Sequence, residues 1–471
     1  MEPLLALLAG GGLGLAGTLA ALNRRHPELL WDWSTLDTSS VTFPSDFLWG
    51  TATAAHQVEG GNTGNNWSRW ETLRDEKGRP RVHNDDRCGA ACEHFTRYPQ
   101  DMARMRDELG MNAYRFSIEW SRIEPERGRF DPAAIAHYHQ MIDAALAHGL
   151  EPMVTLHHFT HPLWFEELGS FEREENIAHI LRFTELCLRE YGDKVPRWCT
   201  FNEPGPFSVM GWALGVFPPG KKDIRLFATV LRNLLVAHLR MVQLARSLPC
   251  GSRIQIGLVK NIFQLDPYRR YSPLDWLLCR VADQFYNEAI LTFLREGVFH
   301  LQVPGLAWRH EEWPEAKGAT DFIGLNYYAN LLLDPFMRRE PPFETRLRPG
   351  QTATDMPYAI YAEGFYRAIK QISTLNKPIY ITENGVADAK DDGRRAQWIS
   401  RYLYAMRKAM DEGADVRGFY YWSFMDNFEW AEGYAMRFGL YEVDYATQER
   451  RLRAGARPLI EAIRRSQGRS A

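Results

Sequence analysis

Eight short apolar runs recur along the chain, at residues 47–54, 113–120, 152–159, 197–201, 254–260, 322–328, 378–382 and 416–423. Several are almost continuously hydrophobic, as strands of a parallel sheet covered on both faces must be. Longer amphipathic stretches fill the gaps. Asp131 and Pro132 supply a helix cap and a first helical residue, and Gly149 ends that segment. Residues 177–190, 226–248, 365–375 and 398–410 carry apolar side chains at three- and four-residue spacing. Eight such units predict an α/β fold, a single (β/α)8 TIM barrel over residues 42–471, with reactive groups at the C-terminal strand ends. A doubly wound sheet is the alternative. It would place a glycine-rich phosphate turn after the first strand, where the chain instead reads Gly50-Thr51-Ala52-Thr53-Ala54-Ala55-His56-Gln57.

Within 471 residues no Ser/Gly tract, charge block or Pro-rich break divides the barrel region. Hydrophobic residues at 45% and charged residues at 24% exclude a disordered chain. A net charge of −3 gives no reason to expect a nucleic acid partner. Aromatic content is high, with 15 tryptophans, and an indole face suits the apolar C–H face of a pyranose. The six cysteines form no CxxC pair and no disulfide framework. Cys88, Cys92 and His94 lack a fourth ligand at zinc spacing, so no metal is expected.

Residues 4–22 carry no charge, and as a helix would reach ~28 Å at 1.5 Å per residue. That nearly spans a bilayer core of about 30 Å. The early charge is Glu2, and Arg24 and Arg25 follow the apolar run. The expectation is therefore an uncleaved membrane anchor over residues 1–22, a linker over 23–41, and a barrel on the cytoplasmic side. A cleaved signal and a soluble start are the alternatives.

Two strand ends carry groups that strands rarely carry: Thr200-Phe201-Asn202-Glu203-Pro204 and Ile381-Thr382-Glu383-Asn384-Gly385. Two carboxylates at one barrel mouth are what glycoside cleavage needs. One protonates the departing oxygen, and the other attacks the anomeric carbon or activates water.

With these motifs stand Phe43-Pro44-x-x-Phe47-x-Trp49-Gly50, Tyr114-Arg115-Phe116-Ser117-Ile118, Gly324-Leu325-Asn326-Tyr327-Tyr328 and Asp426-Asn427-Phe428-Glu429-Trp430. Together the sequence resembles glycoside hydrolase family 1, the β-glucosidase family, from about Phe43 to Ile463. The resemblance implies a retaining β-glycosidase acting on β-glucosides or related β-hexosides, without cofactor. It implies Glu203 as acid/base, Glu383 as nucleophile, and Arg115 and Tyr328 as the groups that hold the nucleophile. Gln57, His158, Asn202, Asn326, Trp422, Glu429 and Trp430 match sugar-binding positions. A carboxylate at Glu429 would repel a 6-phosphate, so non-phosphorylated sugars are expected.

The third-strand motif departs from the family's usual His-Trp-Asp-x-Pro. It reads His158-Phe159-Thr160-His161-Pro162, which loses an indole N–H and leaves the choice among glucose, galactose, fucose and mannose open. The expected partner is a small-molecule β-glycoside, with a glycolipid as the membrane alternative. The same two Glu would then serve a transglycosylase, since a covalent intermediate passes to whichever hydroxyl is better placed. The loop 334–358 is expected to gate the pocket or touch lipid headgroups.

Overall fold

The computed structural model describes residues 16–303, 305–336 and 346–468. Eight strands close into a barrel: β1 Leu48–Ala52, β2 Ala113–Ser117, β3 Glu151–His157, β4 Arg197–Asn202, β5 Gln255–Asn261, β6 Phe322–Asn326, β7 Ile379–Asn384 and β8 Val416–Trp422. Each lies parallel to its sequence neighbours, and β1 pairs with β8 to close the ring. The eight apolar runs thus become the eight staves in chain order.

The helices follow from their caps and stripes. In chain order they include α1 His94–Asp107, α2 Pro132–Ala147, α3 Ile177–Tyr191, α4 Ile224–Ser247, α5 Pro273–Asp283, α6 Ala289–Glu296, α7 Ala362–Ile372, α8 Arg394–Asp411 and α9 Arg457–Ser466. Asp131 caps α2 through the Ala133 and Ala134 amides, and Asp223 caps α4 in the same way. Cross-barrel packing is close at Gly324. A Cβ there would lie 2.8 Å from both Thr382 Oγ1 and a Val259 methyl, so this strand position takes only glycine.

Two irregularities position the chemistry. The β4–β5 register shifts between Cys199 and Asn202, and β7 slips against both neighbours beyond Ile381. Bulges of this kind re-aim side chains at strand ends, and these two lie beside Glu203 and Glu383.

The N-terminal segment is partly visible. Residues 16–25 are helical, and the earlier part of the expected anchor lies outside the described residues. Among the described residues no helix is long and apolar enough to cross a membrane. The stretch 23–41, expected as a linker, is folded onto the barrel flank. Glu363 on α7 accepts from the Trp31 amide (2.8 Å) and the Trp33 indole (3.1 Å), and Tyr361 donates to the Leu29 carbonyl (2.8 Å). The Trp31 ring packs edge-on against Tyr366 and Tyr404. Two indoles in this stretch provide the apolar area that draws it down.

Candidate active site

Glu383 ends β7 in a buried position. Arg115 from β2 donates from Nη1 to its Oε1 at 2.7 Å, and Tyr328 after β6 donates to Oε2 at 2.7 Å. Arg115 is itself locked: Nη2 donates to Asn202 Oδ1 (2.7 Å), Nη1 to the Thr382 carbonyl (3.1 Å), and Nε to Thr155 Oγ1 (3.2 Å). Both nucleophile-holding residues read from the sequence therefore touch Glu383. Burial pushes its carboxyl upward, and the Arg115 charge with the Tyr328 hydrogen bond pulls it back toward the ionised form.

Glu203 follows β4 with φ 48° and ψ 66°, a left-handed conformation that a Glu rarely adopts. Its amide donates to the Val259 carbonyl at 3.0 Å, and Pro204 opens the next helical turn behind it. Strain of this kind, about 1–3 kcal/mol, persists where surrounding structure enforces it. Asn326 Nδ2 donates to Glu203 Oε1 at 2.7 Å. Burial and the nearby Glu383 charge push the Glu203 carboxyl up to about 8. The two carboxyls are thus supported unequally: a cation and a phenol favour the ionised form of Glu383, while Glu203 has no ion pair and is raised by burial and by the Glu383 charge. Pairs of this kind divide into nucleophile and acid.

Asn202 and Asn326 act between these groups. Asn202 Oδ1 accepts from Arg115 and Asn326, so its Nδ2 donates to His158 Nε2 at 3.1 Å. Burial and the Arg115 charge hold His158 well below its ordinary pKa. A neutral His158 that accepts at Nε2 carries its proton on Nδ1, and Nδ1 is buried without a protein partner. Asn326 Oδ1 accepts from Thr382 (2.7 Å), so this residue is engaged on both ends and positions Glu203.

Gln57 Nε2 donates to Phe428 O (2.7 Å), Asn427 Oδ1 (3.1 Å) and Glu429 Oε2 (3.3 Å), while its Oε1 is buried and unpartnered. Glu429 is pushed up to about 8 by burial and the Glu383 charge. Both causes favour its neutral form over the carboxylate. Trp422 and Trp430 line the pocket, their rings near-parallel to His158 at centroid distances of 5.8 and 6.1 Å.

The altered third-strand motif keeps its place. Phe159 lines the pocket with φ 68°, and Thr160 donates to Glu119 at 2.8 Å. The sequence reading did not find the outer wall: Pro206, Met210, Val216, Phe217, Phe263, Tyr286, Met356, Tyr358 and Phe438. These come from loops whose course no strand pattern encodes. It also missed Lys260, fully buried on β5. Its Nζ donates to Asn287 Oδ1 (3.0 Å) and lies 4.7 Å from the Tyr286 ring centre. Burial lowers its pKa to about 7, and its charge favours ionised Glu203. Of loop 334–358, residues 337–345 lie outside the described residues, while Met356 and Tyr358 reach the pocket. Among the described residues no group of three His, Cys, Asp or Glu side chains is arranged for a metal.

The glycosyl hydrolase family 1 profile matches residues 39–467. β-Glucosidase A of Thermotoga maritima is 34% identical over 437 residues, covering 87% of this chain and 94% of its own. A β-glycosidase structure from Pyrococcus horikoshii is 38% identical with a TM-score of 0.77, covering 90% of this chain and 95% of its own. The T. maritima β-glucosidase solved with castanospermine superposes at a TM-score of 0.80 with 30% identity, covering 91% of this chain and all of its own (100%). Matched along its barrel and carrying two buried, unequally supported carboxyls at two strand ends, the chain belongs to glycosyl hydrolase family 1, as a β-glucosidase-like retaining hydrolase.

Proposed function

We propose that Glu383 attacks the anomeric carbon of a β-glucoside or related β-hexoside while Glu203 protonates the departing oxygen. The observation that carries this assignment is the unequal support of the two carboxyls, Arg115 and Tyr328 on Glu383 against Asn326 on a raised Glu203. Attack forms a glycosyl ester on Glu383 and cancels its charge. The charge that raised Glu203 is then gone, its pKa falls, and it takes a proton from the incoming water as the ester breaks. Gln57, His158, Glu429, Trp422 and Trp430 bind the sugar. Asn202 and Asn326 orient that set from behind.

The leaving group would be apolar. Beyond Glu203 the wall is Pro206, Met210, Val216, Phe217, Phe263 and Met356. A second sugar there would bury hydroxyls against carbon, at about 1–3 kcal/mol for each unpaired group. An aryl or lipid aglycone gains from the same surface. The same apolar wall favours the second reading, glycosyl transfer to a lipid hydroxyl, with residues 4–22 holding the chain at a membrane.

Mass analysis of products from an aryl β-D-glucoside, a long-chain alcohol and ¹⁸O-labelled water tests both readings on the full-length chain. Glucose carrying ¹⁸O, absent with Glu383→Gln, supports the hydrolase. Glycosylated lipid as the main product supports transfer. For the roles, Glu203→Ala with azide should release β-glucosyl azide, because azide attacks the ester without needing a base. Azide that leaves Glu203→Ala unchanged refutes the assignment.

A further inference from the structure

Helix α5 buries Asp275, Trp276 and Cys279 on its inner face. Leu274 and Leu277 are exposed, with Leu278 and Val281 half-buried beside them, at i, i+3, i+4 and i+7, the spacing of one helical stripe. Leu274 is 50% exposed and Leu277 58%. Tyr271, just before the helix, is 76% exposed. Phe336 is also exposed, under the guanidinium of Arg269 (4.9 Å), and Arg269 bonds both Asp275 on α5 and Asp334. These rings and leucines therefore come from neighbouring segments. Several large apolar side chains exposed on and beside one water-facing helix mark a surface that is covered in use.

The N-terminal segment meets the fold at this patch. Asn23 donates to the Arg270 carbonyl at 2.9 Å, Arg270 donates back to the His26 carbonyl, and the His26 ring lies 6.0 Å from Trp276. Residues 16–25, the end of the long charge-free run, are thus tied to the first turn of α5. Arg24, Arg25 and Arg280 are exposed around the junction. An apolar stripe bordered by arginines is the composition of a helix lying in a bilayer interface, with anionic headgroups at its edges.

We propose that the outer face of α5, with Tyr271 and Phe336, docks on the surface of an anionic lipid bilayer. The inference rests on the reading of residues 4–22 as a membrane anchor, and adds a second contact that fixes the orientation of the barrel. With the stripe seated, α5 lies along the membrane. It continues directly into the turn Gln284–Glu288, whose Tyr286 lines the pocket. Leu277 and Tyr286 are nine residues apart, ~14 Å of helical rise. The leaving-group side of the pocket is thereby held close to the lipid surface.

The test uses the full-length chain with vesicles of phosphatidylcholine and phosphatidylglycerol, read by flotation and by hydrogen exchange. The expected result is flotation, with exchange slowed several-fold over residues 270–283 as well as at the N-terminus. Leu274→Glu/Leu277→Glu should lose the slowing at 270–283 and keep the rate on a soluble aryl glucoside. Slowing confined to residues before Arg24 overturns this proposal and leaves the anchor standing. A chain that does not float overturns both. Slowing at 270–283 without vesicles, rising with protein concentration, overturns it in favour of a second copy of the chain on the stripe.

Discussion

The floor and the outer wall of the pocket are built on different principles. On the floor nearly every polar atom has a partner. Arg115, Asn202, Asn326 and Tyr328 form one network between the two carboxyls, Arg115 from the middle of β2 and the others from strand ends or the residues just beyond. The wall is mostly carbon from loops and short helical turns, Met210, Val216, Phe217, Phe263 and Met356, with the Tyr286 and Tyr358 phenols among them. A hydrogen-bonded network fixes atoms to fractions of an ångström and tolerates no substitution, whereas an apolar wall sets only shape and affinity. Chemistry should therefore fail on one side and substrate preference should change on the other.

The largest effect belongs to the floor. Glu383→Gln should lower kcat by at least ~10⁴-fold on every glycoside, measured as aryl release with burst analysis. Glu203→Gln should lower kcat/KM as severely where the leaving group needs a proton and far less with a nitrophenol that leaves unaided, whose turnover then stalls at the ester step that needs the base. Equal losses of kcat/KM on both substrates would break the division of roles.

The wall comes next. Phe217→Ser should raise KM for an aryl glucoside by roughly 10–100-fold, the value of one buried aromatic side chain, with kcat within a few-fold. Cellobiose hydrolysis should change little. An equal loss on both substrates would mean that the wall positions the sugar as well.

This division also explains what the sequence made legible. Glu203 and Glu383 were readable because barrel geometry forces reactive groups to strand ends, where a charged residue in an apolar run is conspicuous, whereas Arg115 and Tyr328 were legible through the resemblance to the family's motifs. The eight strands were readable as apolar runs, within a few residues at each end. Phe217 and Met356 were not, because an apolar residue in a loop looks the same whether it faces a pocket or packs beneath it. Asn326 was read as a sugar ligand, and the structure adds a contact that the sequence did not suggest, its amide donating to Glu203. The docking of residues 23–41 has a visible cause in Trp31 and Trp33, but no pattern named Glu363 and Tyr361 as their partners. Lys260 was invisible for the opposite reason. A lysine beside an asparagine at a strand end suggests a surface position, and the residue is fully buried.

The pH profile sharpens the contrast further, because the floor groups act on titration and the wall groups do not. Glu203 must be protonated to donate, so kcat/KM should fall as pH rises through about 8. Asn326→Ala removes a donor that favours the ionised form. The Glu203 pKa should rise, and the alkaline limb should move to higher pH even as the rate drops. Phe217→Ser should leave the limb in place.

The smallest effect expected is at Lys260. Its ammonium, charged, favours ionised Glu203 and so lowers the pKa of the acid. Its own pKa of about 7 means that it loses that charge in the same range where Glu203 titrates. Asp283 and Glu288, facing it from α5 and the following turn, resist this loss. In the wild-type chain the two titrations oppose each other. As pH rises, Lys260 deprotonates, its pull on Glu203 weakens, and the acid retains its proton longer than a fixed cation would allow. Lys260→Met removes the charge at all pH values. The alkaline limb should then lie about half a unit to one unit higher, the scale of one partly screened buried charge. Lys260→Arg keeps the cation and should move the limb the other way. The two variants must shift the limb in opposite directions, a result that altered packing alone would not give, because both change the volume of the same buried side chain.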